Sequence, residues 1–121
     1  MSLLKKILHE SISDELKNIT SNKEFIDFYN NYTHRNHSKI DFSDIEGNCD
    51  LVAIYLNKKF KAIEYETQTD EGDYKHIFVK YNGKFYDAYN PNGVINFLDL
   101  DYFEGLNMEL RKQLKNNLEK S

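Results

Sequence analysis

The stretch HIFVKYNGKFYDAY, residues 76–89, decides the fold. Two runs rich in aromatic and β-branched residues meet at Asn82-Gly83, the dipeptide best suited to the positive-φ positions of a type I′ hairpin turn. A two-residue turn there pairs Tyr81 with Lys84. It places Phe78 opposite Asp87 and His76 opposite Tyr89. Strand side chains alternate between faces, so His76, Phe78, Phe85, Asp87 and Tyr89 are expected on one face. His76 and Asp87 then become diagonal neighbours within side-chain reach.

Upstream, GNCDLVAIYLNKKF (residues 47–60) reads as a helix. Leu51, Val52, Ile54, Tyr55 and Leu56 crowd it with apolar groups, which predicts a central, largely buried element ending near Lys58–Lys59. Asn48 is the expected cap, accepting from the free N–H groups of the first turn. Cys49, the only cysteine, follows it directly. KAIEYET (61–67) alternates as a strand. Asp70, Glu71 and Asp73 then form an acidic turn without the spacing or the terminal Glu of a calcium loop. Residues 33–48 are polar and aperiodic, a loop expected to wall a cleft beside Cys49. Within it, His34 and His37 stand three apart, a metal-binding spacing on a helix. The segment has no helical pattern, so surface histidines are expected.

Ser21 and Glu24 have the spacing of a capping box, predicting a helix to about Tyr32. Before it, Leu3, Leu4, Ile7, Leu8, Ile12, Leu16 and Ile19 form one apolar stripe at helical spacing, a core-covering helix. Downstream, Asn90-Pro91-Asn92-Gly93 reads as the turn that ends the hairpin. VINFLDL (94–100) is expected to add a short strand. Leu110, Leu114 and Leu118 mark a terminal helix capped by Asn107.

The order of elements predicts one α+β domain spanning residues 1–121. N-terminal helices and the central Cys49 helix pack on a small antiparallel sheet. A length of 121 residues suits a single core,. The net charge of -4 argues against a general nucleic-acid binder,. A lone cysteine makes no internal disulfide. No apolar run is long enough to span a membrane, and Lys5, Lys6 and His9 interrupt the pattern a signal peptide would need. A cytoplasmic protein is expected.

Cys49, His76 and Asp87 occur in the order of a thiol nucleophile, its base and the base's orienter. A thiol attacks as its thiolate, which a helix N-terminus and a neighbouring imidazolium both favour. Asp87 would hold the imidazole in one tautomer. The Cys49 N–H would serve an oxyanion, with Asn48, Asn36 or His37 supplying a second donor. Taken singly, a cysteine at a helix start is more often a small buried apolar residue, and a strand histidine more often structural. Their order, with the histidine and aspartate forced onto one face, favours chemistry.

These residues resemble the papain-like cysteine protease superfamily in its minimal form, the transglutaminase-like, NlpC/P60-like and arylamine-acetyltransferase-type domains. His76-Ile77-Phe78-Val79 and Gly83-Lys84-Phe85-Tyr86-Asp87 match the strand patterns that carry His and Asp there. The resemblance spans residues 45–95 and implies a papain-like core, a Cys-His-Asp triad and acyl transfer through a thioester. The chain departs from those relatives in the short interval between Cys49 and His76, in lacking tryptophan, and in lacking the upstream glutamine that serves the oxyanion in papain-like proteases. The expectation is a small intracellular thiol enzyme acting on a protein, peptide or other amide, without cofactor or metal. Its size and its Asn-, Lys-, Ile- and Tyr-rich composition fit a phage or mobile-element protein. The alternative is a non-catalytic module on the same fold whose aromatic residues, 14% of the chain, bind a host protein,.

Overall fold

The computed structural model describes residues 11–120. Its centre is the hairpin of β2 (His76–Tyr81) and β3 (Lys84–Asp87), turned through Asn82 at φ 49° and Gly83 at φ 79°. Tyr81 pairs with Lys84, Lys80 with Phe85 and Val79 with Tyr86, the register expected of a two-residue turn,. With β1 (Ile63–Thr67), β4 (Asn90–Val94) and β5 (Glu119–Lys120) these strands form an antiparallel sheet in the order β4-β3-β2-β1-β5. Among the described residues five helices accompany the sheet: α1 (Ile12–Lys17), α2 (Lys23–Thr33), α3 (Phe42–Ile45), α4 (Cys49–Phe60) and α5 (Met108–Asn116). The chain is an α+β protein.

The sheet separates two cores, as strand alternation requires. Val79, Tyr86 and Ala88 face α1, α2 and α4, packing with Leu16, Phe25, Tyr29, Val52 and Leu56. Phe78 and Phe85 face the other way, toward Phe97, Leu100, Phe103 and Leu114. Among the described residues, an ion-pair network ties the helical layer together. Lys59 of α4 meets Glu15 of α1 and Glu24 of α2, while the Tyr55 hydroxyl donates to Glu15.

Several boundaries differ from those read in the sequence. Residues 3–10 of the first apolar stripe lie outside the described residues, whereas Ile12, Leu16 and Ile19 are buried as expected. α2 begins one residue later than the capping box implied. Asn22 is the cap, its side chain accepting from the Phe25 N–H. The segment read as loop contains α3, nucleated by a reciprocal capping box between Asp41 and Asp44 that a periodicity search misses at four residues. Asn90-Pro91-Asn92-Gly93 is not the turn. The chain reverses one step earlier, at Ala88-Tyr89, because the Asp87 carboxylate captures the Tyr89 N–H at 3.0 Å and the Asn90 side-chain amide at 2.7 Å,. Pro91 is then accommodated in β4 because this is an edge strand, where its missing N–H costs no ladder bond,. VINFLDL is not a separate strand. Val94 closes β4, and a 3-10 turn follows at Phe97–Asp99, capped by Asn96.

α4 lies along β2 with matched ends. Eleven helical rises from Cys49 to Phe60 cover roughly 16 Å. Five strand rises from His76 to Tyr81 cover roughly 16–17 Å. At the far end Phe60 meets the Tyr81 ring at 6.0 Å. At the near end Cys49 arrives where β2 begins. No helix among the described residues is long and apolar enough to cross a membrane.

Candidate active site

His76 and Asp87 come from neighbouring strands on the face shared with Phe78 and Phe85, as the hairpin register demands. Nε2 of His76 lies 2.7 Å from an Asp87 oxygen, and both side chains are buried, at 3% and 4% exposure. The other carboxylate oxygen accepts from the Tyr89 N–H and the Asn90 amide. Asp87 is therefore held on three sides. Tyr89 does not continue this strand face. It sits in the turn and is exposed.

Cys49 reaches the pair from the opposite layer. Its helix packs on the Val79 face, but its position at the helix start lets the sulfur approach His76 around the end of β2. The thiol's pKa is shifted below its ordinary value. Burial opposes that shift, but the His76 imidazole and the backbone N–H of Ile77 outweigh it,. The His76 pKa is raised. Burial works against the charged ring and is outweighed by Asp87 first, then by the Cys49 sulfur. Nδ1 of His76 is buried without a completed hydrogen bond. The sulfur lies close enough to the ring for each group to shift the other's pKa.

Asn48 does not cap α4. Its side-chain amide turns back and donates to the Asp44 carbonyl at 2.8 Å. The consequence is chemical: the N–H groups of Cys49 and Asp50 meet no acceptor among the described residues, since the first helical acceptor, Asn48 C=O, serves Leu51 and Val52,. Asn36 and His37 are not brought to the site. His37 is fixed through its backbone to the Asn30 side chain, with its ring against Tyr29. His34 is the exposed left-handed cap of α2. Among the described residues no group of three or more His, Cys, Asp and Glu side chains is arranged to hold a metal ion.

The three residues line a cleft of about 750 Å³. Its rims include α3 with its following turn and the Asp101–Tyr102 segment. Tyr102 stacks flat on the His76 ring, centroids 4.2 Å apart and planes at 10°, while remaining 42% exposed. Phe42, on the α3 rim, stacks on Tyr89 at 5.6 Å. Sequence reading did not single out Tyr102, Phe42 or Glu46. Each depends on a short 3-10 or helical turn whose placement no periodicity reports.

No protein-family model, curated protein or solved structure matches the chain.

Proposed function

We propose that the chain is a small cysteine-dependent enzyme of the papain-like type, acting on an amide or acyl bond. One observation carries this reading above the rest. A buried imidazole is hydrogen-bonded through Nε2 to a fixed carboxylate, its Nδ1 is buried without a partner, and the Cys49 thiol at an uncapped helix N-terminus lies close enough to raise the ring's pKa. A purely structural histidine has no use for an unpaired buried nitrogen, which costs about 1–3 kcal/mol. A base awaiting a nucleophile's proton does.

The reaction runs as acyl transfer. The Cys49 proton passes to Nδ1, and the thiolate adds to the substrate carbonyl carbon. The oxyanion lies against the Cys49 and Asp50 N–H groups at the positive end of α4. Imidazolium returns the proton to the leaving amine as the C–N bond breaks, giving the acylated Cys49. Water, or an acceptor amine, gives its proton to the same nitrogen and displaces the thiol. Asp87 keeps the ring oriented throughout. The outcome is peptide or amide hydrolysis, deamidation or transfer, and the chemistry needs no metal or cofactor.

Alkylation of Cys49 by iodoacetamide tests this directly. Carboxamidomethylation should proceed at pH values where a free thiol is mostly protonated, and His76→Ala should remove that excess. A thiol reacting at the ordinary pH, or not at all, leaves the binding-module alternative, in which Cys49→Ala would not alter partner capture.

A further inference from the structure

The cleft's charge is one-sided. Besides Asp87, which is committed to His76, its lining carries the carboxylates of Glu46, Asp50 and Asp101 against a single lysine, Lys75. None of these four takes part in an ion pair among the described residues. The same rims expose aromatic rings. The Tyr89 ring, stacked with Phe42, stands on the Glu46 side, and Tyr102 stands beside Asp101, each 42% exposed. Carboxylates near exposed aromatic faces make the environment in which a cation gains from both Coulomb attraction and the ring quadrupole. His76 and Cys49 line this same cleft, so whatever the rims attract is brought beside the reacting sulfur.

We propose that the cleft admits a polypeptide segment carrying a Lys or Arg side chain beside the bond attacked, the cation lying between the Glu46 and Asp101 rims. This specificity rests on the function proposed above and extends it to a substrate class. Tyr89 supports the picture. Its hydroxyl is pushed above the ordinary pKa by burial and then by the Glu46 carboxylate, which places that charge beside the aromatic rim. An anionic segment meets repulsion on both rims. The chain's overall charge of -4 reinforces the preference only weakly at physiological salt, because screening acts over about 8 Å,.

The test reads Cys49 with three thiosulfonate reagents of similar size: cationic trimethylammonioethyl, anionic sulfonatoethyl and neutral methyl methanethiosulfonate. The ratio of cationic to anionic rate, normalised to that of mercaptoethanol, should exceed unity by about tenfold, an effect on the order of 1.4 kcal/mol. It should shrink at high salt, and it should fall toward the mercaptoethanol ratio in Glu46→Gln/Asp101→Asn. Taking the ratio within each protein cancels any change in thiol ionisation. Oligolysine should slow labelling by the neutral reagent, whereas oligoglutamate should not. A normalised ratio near one with fast neutral labelling overturns the specificity and leaves the thiol enzyme standing. Charge selectivity without protection by oligolysine overturns the polypeptide substrate. A Cys49 inert to all three reagents removes both readings.

Discussion

Asp87 carries more of the site than its place beside His76 suggests, because its two oxygens serve the imidazole, a backbone N–H and a side-chain amide at once. Asp87→Ala strips the partner from a buried ring and orphans the two other donors. A loss of about 3–5 kcal/mol is expected, read as a fall in the urea midpoint. Asp87→Asn keeps an acceptor for Tyr89 and Asn90, so most of that stability should remain. Its amide can still face Nε2, but without the negative charge that favours imidazolium. Iodoacetamide reactivity at pH 6 should therefore fall while the urea midpoint moves by a smaller amount. Tyr102 offers a second separation. The flat stack on His76 excludes water from one ring face and involves no hydroxyl contact. Tyr102→Phe should leave alkylation by iodoacetamide within about twofold of wild type. Tyr102→Ala should slow it, by about 2- to 13-fold for a stack worth roughly 0.5–1.5 kcal/mol. Equal rates in the two variants would show that the ring merely lies nearby.

The hairpin and its continuation show what an element can and cannot announce. Asn82-Gly83 carried the register of β2 and β3 in plain view, because a type I′ turn permits one pairing and that pairing forces His76 and Asp87 onto one face,. The next reversal was misread for a physical reason. Asn-Pro-Asn-Gly has turn composition, yet the turn is made by an aspartate side chain upstream of it, a tertiary commitment that composition does not encode. Cys49's approach was hidden for the same kind of reason. It depends on α4 and β2 having matching lengths, and nothing within either segment states that they lie side by side. The cleft rims rest on α3 and the 3-10 turn Asp101–Phe103, too short to show a period. Gly93 belongs to this misread region. Its φ is 75°, and an added Cβ would stand 2.7 Å from the Tyr86 ring, which backs the cleft. Gly72, at φ 87°, has no neighbour within 4 Å of an added Cβ. Gly72→Ala should cost only the backbone strain, about 1–2 kcal/mol. Gly93→Ala should cost about 1–3 kcal/mol more from overpacking, lowering the thermal midpoint further and disturbing Cys49 reactivity. Equal midpoints for the two variants would contradict the close approach of Tyr86 to Gly93.

At the scale of the molecule, the site joins two layers that the sheet otherwise keeps apart. The sulfur belongs to the helical layer and the imidazole–carboxylate pair to the opposite face, so the Cys49–His76 contact is a link between the two cores. That link should be visible in stability as a function of pH. Cys49 has a depressed pKa in the folded state. Its contribution is fully present above the unfolded thiol value and is lost as pH falls through the folded value. His76 has a raised pKa. Its contribution is fully present below the unfolded imidazole value and is lost as pH rises through the folded value. Together they predict that the stability advantage of wild type over Cys49→Ala is bell-shaped in pH. It grows as pH rises through the folded thiol pKa and declines as the imidazolium that favours the thiolate deprotonates. Urea midpoints of the two proteins measured from pH 4 to pH 10, under reducing conditions, give this difference directly. Adding His76→Gln to both proteins should flatten the bell, because the thiolate then has no imidazolium to face. A pH-independent difference would mean that Cys49 acts only as a small buried side chain, and that the two layers meet there without charge.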